Sequence, residues 1–228
     1  MKITISEELK KILPDFSIIA YQMTVNVTKT KEVDDLLDEV IKEVNAKYTI
    51  EEVVNIPKLK KSRDAYKKLG KDPSRYRLAT ESLIRRIAKG LGLYRINDTV
   101  DLGNILSVKT MRSVCVVDMD KIVGDIYIRI GNESDEYYGI NRGHINVDKI
   151  PVYTDDLSPF GTPTSDTDRT AITADTKRIL VMLICFDKSD LESDEALLLD
   201  LYKKYQHAVN ILKIEETLWT KHQILLKQ

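Results

Sequence analysis

The 228-residue sequence predicts an α+β fold on three observations. Residues 178–186 form a near-continuous apolar run that reads as a central strand. Two other stretches place apolar residues at i, i+3 and i+4, the mark of helices with one buried face. Strand-like and helix-like segments then alternate irregularly, with glycine turns and no strict βαβ rhythm, which favours α+β over a doubly wound fold. With 43% hydrophobic residues the chain can bury one substantial core, and its length favours a single domain over residues 1–228.

The elements are justified in order as follows. Residues 16–27 are rich in branched and aromatic side chains and alternate in their second half, so a strand is expected after the punctuation of Pro14 and Asp15. Over residues 31–47, Val33, Leu36, Leu37, Val40, Ile41 and Val44 trace one helical face. Residues 51–56 fit either kind of element and are expected to end at Pro57. Residues 63–70 suggest a short helix closed by Gly70, and Asp72-Pro73 a turn. Thr80 is the expected N-cap of a helix that turns Leu83, Ile84, Ile87, Ala88 and Leu91 inward and ends at residues 90–92.

Residues 97–104 read as a polar loop of two carboxylates and two amides. After it come a short buried strand, 114–117, ending in Asp118 and Asp120, and an alternating strand, 126–130, carrying Arg129. Gly139 and Gly143 mark a loop, and residues 150–154 a short strand. The irregular stretch 155–170, rich in Asp, Thr, Ser, Pro and Gly, is long enough to suggest a functional loop, because its backbone polar groups must find partners. Ser193, with Asp194 and Glu195 in the first turn, opens a C-terminal helix over about residues 193–213, with Leu198, Leu201, Tyr202, Tyr205, Val209 and Leu212 at helical spacing. Residues 214–228 are expected to form a further helical turn or a tail docked on the core.

The net charge of -1 gives no global attraction to nucleic acid or anionic membrane, so any such attraction is local. It is concentrated in residues 58–89, where twelve Lys and Arg stand against Asp64, Asp72 and Glu81. Phosphate neutralisation needs clustered cations and no particular sequence. Lys60, Lys61, Arg63, Arg75, Arg85, Arg86 and Lys89 are therefore the candidate RNA contacts, with a merely solvated basic face as the alternative. Cys115 and Cys185 sit in apolar runs, where free thiols behave as small core residues, and a disulfide would require their strands to be neighbours. No zinc-type spacing is present, and Asp118 with Asp120 is a thin oxygen set for a cation, better suited to closing a turn. No metal or cofactor is expected. With no apolar run near the roughly 20 residues of a membrane helix and no leader pattern at Met1, the expectation is a cytoplasmic protein with no membrane partner.

One series of motifs is specific in its order and spacing. Asn97-Asp98-Thr99-Val100-Asp101-Leu102-Gly103-Asn104 is followed by Val114-Cys115-Val116-Val117-Asp118-Met119-Asp120-Lys121, Gly124 and Arg129. This resembles the B3/4 editing domain of the phenylalanyl-tRNA synthetase β subunit (Asn-Asn-Val-Val-Asp-Val-Thr-Asn, about ten residues, Leu-His-Ala-Phe-Asp-x-Asp-Lys, Gly, an Arg-bearing strand), and more closely its stand-alone bacterial relatives. Residues 165–170 and 175–178 fall where the family has an acid-containing turn, a Thr and a buried strand. Tyr66, Gly70, Asp72-Pro73, Tyr76 and residues 81–86 resemble the Arg-rich helix of the stand-alone members. The resemblance covers roughly residues 60–186. It implies a B3/4-like α+β domain, with a central mixed or antiparallel, sandwich-like sheet and helices packed around it.

What the resemblance implies about function is a protein that binds tRNA or aminoacyl-tRNA and hydrolyses misacylated aminoacyl-tRNA in trans, a deacylase rather than a complete synthetase. Such an ester is already activated, so positioned water and a stabilised oxyanion suffice. Asp168 falls nearest the family's acid, with Asp166 as the alternative because the loop is one residue longer than the family's. Asp168, Asn104 and Cys115 are the expected catalytic positions, and Asp101, Gly103, Arg129, Arg169 and Thr170 the substrate-binding ones. Arg169 is also placed to pair with Asp168 or Asp156, and Asp101 and Asn104 to pin their own loop through backbone hydrogen bonds. His144 and His207 carry no motif and are not expected to act as bases. Two departures stand out: Cys115 replaces the family histidine and Gly103 its threonine. A thiol cannot supply an imidazole near neutral pH, which keeps a second possibility open, a non-catalytic module that binds RNA or a small ligand.

Overall fold

The computed structural model describes residues 1–219. Its centre is an antiparallel four-stranded sheet in the order β10 (Val209–Ile214), β2 (Ser17–Thr24), β9 (Arg178–Cys185), β3 (Ser113–Asp118). Strand β9 pairs along its length with both β2 and β3. Both its edges are therefore paired, both its faces lie against a core, and every residue from Ile179 to Cys185 is buried, which is why it reads as an unbroken apolar run.

A second, mixed sheet of five strands lies on one face, in the order β11 (Glu216–Trp219), β1 (Ile3–Ser6), β4 (Ile126–Ile130), β7 (Pro151–Thr154), β8 (Pro159–Gly161). The pairs β1–β11 and β1–β4 are parallel, and β4–β7–β8 antiparallel. One core lies between the sheets: Ile3, Ile5, Ile126, Ile128 and Val152 face Ile18, Ala20, Val117, Leu180, Met182 and Ile184. The period of two sends Ile19, Tyr21, Met23, Ile179, Val181 and Leu183 to the opposite face. There they pack under α2 (Lys31–Lys47), α4 (Ala79–Ala88), α5 (Asp98–Thr110) and α6 (Leu191–Gln206) to form a second core. The sandwich is thus clad with helices on one side. Helix α1 (Glu7–Ile12) follows β1, and α3 (Pro57–Lys68) contributes Leu59 to one core and Ala65 and Tyr66 to the other. A small hairpin, β5 (Tyr138–Gly139) with β6 (Gly143–His144), stands apart from both sheets.

The structure corrects four local expectations. Residues 98–110 are helix α5, not loop. Asn97 caps it by accepting from the Val100 N–H at 3.0 Å, while the buried Asp98 and Asp101 pin its first turn to the β2–α2 connection. Asp98 accepts from Thr28 Oγ1 (2.7 Å) and the Thr30 N–H (3.0 Å), and Asp101 from Lys29 Nζ (2.7 Å) and the Ile96 N–H (2.9 Å). Pro57 begins a helix rather than ending an element, because at the first helical position its missing N–H would have no partner anyway. Thr80 is no cap: it is buried inside α4 and donates to the Ser107 carbonyl at 3.1 Å, and Leu91 is exposed. Finally, α6 stops at Gln206, where His207 takes the left-handed conformation (φ 50°). Residues 209–214 leave as β10, with Val209 and Leu212 exposed. Of the expected docking tail, residues 216–219 are strand β11, and residues 220–228 lie outside the described residues.

Cys115 and Cys185 are both free and buried although their strands are neighbours. Cys115 lies opposite Met182 and faces the inter-sheet core, whereas Cys185 faces the helices. No disulfide can join opposite faces of one sheet. No helix of the described residues is long and apolar enough to cross a membrane.

Candidate functional site

Helix α4 is amphipathic in an instructive way. Thr80, Glu81, Ile84 and Ile87 are buried, which turns Ser82, Arg85, Arg86 and the following Lys89 to the other side. There, together with Arg77, Leu91, Tyr94, Asn104 of α5 and Arg142, they line a cavity of about 320 Å³. A second cavity of about 470 Å³ is lined by Arg75, Tyr76, Arg77, Ser82, Arg142, His144, Ile145, Asn146 and Thr164. Arg77, Ser82 and Arg142 border both, so the two form one cleft. Among the described residues, no Asp or Glu lines it. Cations that outnumber the acids behind them in a concave, partly dehydrated wall focus a positive potential that favours phosphates.

Aromatic rings stand in both parts of the cleft. The Arg86 guanidinium lies over Tyr94, 4.1 Å from the ring centroid, and Tyr94 is 53% exposed. Lys71 Nζ lies 3.8 Å from the centroid of Tyr76. Lys71 is itself buried and donates to the carbonyls of Asn146 (3.0 Å) and Asp148 (2.7 Å), so it anchors the wall instead of meeting solvent. Burial pulls its pKa below the ordinary lysine value. Cation-bearing grooves with accessible ring faces are suited to unpaired nucleotides.

Behind this wall, between the sheets, lies a compact polar cluster. The Cys115 thiol hydrogen-bonds the Asp166 carboxyl. Gly161 lies close enough to Asp166 that an added Cβ would come within 3.0 Å of Oδ1. Burial pushes the Asp166 carboxyl up to about 7, partly offset by the Cys115 hydrogen bond, and pushes the Cys115 thiol far above its ordinary value. Such a thiol is protonated at neutral pH and is no nucleophile. Tyr137 donates to the Ser165 carbonyl, Tyr66 shares a hydrogen bond with Thr164 at 3.0 Å, and the buried Tyr153 hydroxyl has no partner among the described residues.

The residues singled out in the sequence are thus distributed over several places. Asn104, Arg75, Arg85, Arg86 and Lys89 meet in the cleft. Lys60 and Lys61 are exposed on α3 and do not line it, and Arg63 turns inward to Glu81 with Nη1 2.8 Å from Oε2. Asp101 is the buried pin described above, and Gly103 is where α5 touches β3: an added Cβ would lie 2.5 Å from Val116 Cγ2. Arg129 forms a two-pronged pair with Asp135 (2.6 and 2.8 Å). Arg169 does the same with Asp155 (2.9 and 3.0 Å). Despite the opposing effect of burial, that guanidinium and three backbone N–H groups hold Asp155 below the usual carboxylate range. Thr170 is fully buried, its hydroxyl unpartnered among the described residues.

Asp168 is exposed and lines a separate cavity of about 220 Å³ with Glu136, Tyr138 and Arg169. The acid beside Cys115 is Asp166. Cys115, Asn104 and Asp168 therefore do not face one cavity. Asp118 closes a turn, accepting from Thr176 Oγ1 (2.7 Å) and the Asp120 N–H (3.0 Å). Sequence reasoning missed Arg142, Tyr94, Tyr76 and the presence of His144 on the wall. Arg142 and His144 come from a short hairpin with no pattern pointing to α4.

The model of the B3/4 domain family matches residues 61–211, well over half of the chain. The chain belongs to the B3/4 domain family. Its fold is similar to an N-terminal fragment of the phenylalanyl-tRNA synthetase beta subunit from Pyrococcus horikoshii, with a TM-score of 0.51 and 11% identity. The similarity covers 95% of this chain and 52% of that fragment, so this chain spans about half of its length. No curated protein sequence matches the chain.

Proposed function

We propose that this B3/4 protein binds aminoacylated tRNA in the cleft beside α4 and hydrolyses the aminoacyl ester in trans, in the cytoplasm. The observation that carries the reading is the acid-free cleft, in which Arg75, Arg77, Arg85, Arg86, Lys89 and Arg142 converge while Asn104 reaches the same wall. The family supports the choice of tRNA over other polyanions, since the similar fold belongs to a tRNA synthetase subunit. An aminoacyl ester needs little from the protein beyond orientation and a donor for the oxyanion, and the Asn104 amide is an uncharged donor in a cleft built for the acceptor end. No metal is required for this chemistry.

A specific observation favours a second reading, a tRNA-binding module without hydrolysis. The Cys115 thiol and Asp166 are tied to each other between the sheets and line neither part of the cleft. The test is to incubate the protein with tRNAs charged with several amino acids and follow ester loss. Deacylation above the buffer rate, reduced about tenfold or more by Asn104→Ala with tRNA affinity kept, supports hydrolysis. No deacylation together with a salt-sensitive gel shift leaves the binding module.

A further inference from the structure

Glu81 is the one acid of helix α4, and it is completely buried. Three guanidiniums converge on its carboxylate. Arg63 Nη1 stands 2.8 and 3.1 Å from its two oxygens, Arg85 Nε 2.9 Å and Arg77 Nε 3.4 Å from Oε1. One negative charge serves three positive ones, so the cluster keeps an excess of positive charge. Arg63 points away from the cleft, donating also to Ser74 Oγ at 3.0 Å and to the Pro73 carbonyl. Arg77 and Arg85 line the cleft, where Arg142 joins them. Arg85 gives only Nε to Glu81, and its terminal nitrogens donate to no group among the described residues. Arg77 Nε meets Glu81 only as a 3.4 Å ion pair, with no hydrogen bond among the described residues, and its Nη2 donates to the Ser74 carbonyl at 3.4 Å. Arg85, fixed through Nε, thus presents its two terminal nitrogens as a fork, the geometry that matches two phosphate oxygens, while Arg77 adds its charge beside it.

We propose that Glu81 is the positioning residue of a phosphodiester-binding site, its carboxylate holding Arg77 and Arg85 so that, with Arg142, they grip a backbone phosphate of the bound RNA strand. This rests on the reading of the cleft as an RNA site. It also inverts the expectation from simple charge. Glu81→Gln makes the cleft wall more positive, so a diffuse electrostatic attraction would tighten binding. Positioning requires the reverse, because guanidiniums released from the carboxylate lose their shared orientation.

The experiment is the affinity of wild-type, Glu81→Gln and Arg85→Lys protein for uncharged tRNA, measured across a salt series with each variant confirmed as folded by thermal melting. Glu81→Gln is expected to bind about fivefold or more weakly, with the salt slope shallower by about one. Arg85→Lys keeps the charge but loses the fork, and is expected to weaken binding similarly. It decides the matter alone should Glu81→Gln fail to fold. Affinity unchanged or tighter in the folded Glu81→Gln protein, or unchanged in Arg85→Lys, overturns the positioning role and leaves the RNA reading intact. Wild-type protein that does not bind tRNA removes the RNA reading, and this inference with it.

Discussion

Asp166, titrating at about 7 because burial penalises its charged form, makes stability respond to pH in the opposite direction from ordinary acid unfolding. In the unfolded chain an Asp titrates at about 4. Between these values the folded state binds one more proton, so this group's contribution is fully present below about pH 4 and is lost as pH rises through about 7. Asp166→Asn is expected to remove that slope, at most about 1.4 kcal/mol per pH unit, in urea titrations from pH 5 to 7 compared with wild type. An unchanged difference across that range contradicts the buried placement of this carboxyl. At Gly103 the expectation is steric. Gly103→Ala pushes a methyl toward Val116 Cγ2, 2.5 Å away, and is expected to cost about 1–3 kcal/mol in urea unfolding, in spite of alanine's better helix propensity. Legibility at this scale was uneven. Motif order identified Cys115 and an acid in residues 165–170, but choosing between Asp166 and Asp168 depends on which one turns inward. That is set by the bridge pairing of Asp166 with Gly161.

Among the elements, α5 shows how chemistry placed for packing can imitate a loop. Its first turns carry Asp98, Thr99, Asp101 and Gly103, all buried, so the usual apolar stripe is missing. The signal lies instead in the Asn97 cap and in carboxylates that accept from the preceding segment. Asp101→Ala leaves the Ile96 N–H without its partner and Lys29 with Asp34 alone, 3.0 Å away. Loss of about 2–4 kcal/mol is expected in urea unfolding, since a buried acceptor serving a cation and a backbone donor is removed. A loss below about 0.5 kcal/mol would mean that α5 is held by its apolar residues alone. Residues 209–214 misled in the other direction: Val209 and Leu212 continue the helical spacing of α6, yet the left-handed His207 and Asn210 turn the chain into β10. By contrast, β9, β2 and α2 were legible because their periodicity agrees with their burial on both faces or on one.

Across the whole molecule, the segregation of charge was visible in the sequence while its division of labour was not. Of the basic residues between 58 and 89, Lys58 pairs with Asp194 at 2.9 Å, Arg63 holds Glu81, Lys71 is buried in the wall, and Lys60 and Lys61 face solvent on α3. Only the set on and around α4 meets Arg142 from the distant hairpin, and no local pattern could bring those together. The same geometry separates the two chemistries that the family motif joins in sequence: Asn104 opens to the cleft, whereas Cys115 faces the inter-sheet core. If RNA lies along the cleft, Tyr94→Ala should weaken tRNA binding several-fold through loss of a stacking face, while Tyr94→Phe should retain most of it.

The most direct test of the cleft as the tRNA site is a comparison of tRNA affinity between two double charge reversals, Arg86→Glu with Lys89→Glu on the cleft and Lys60→Glu with Lys61→Glu on α3. Both change the net charge equally, so a bulk effect of charge affects them alike. The cleft pair is expected to lose about tenfold or more in affinity and the α3 pair less than about threefold. Equal losses in the two, or none from the cleft pair, would contradict the account.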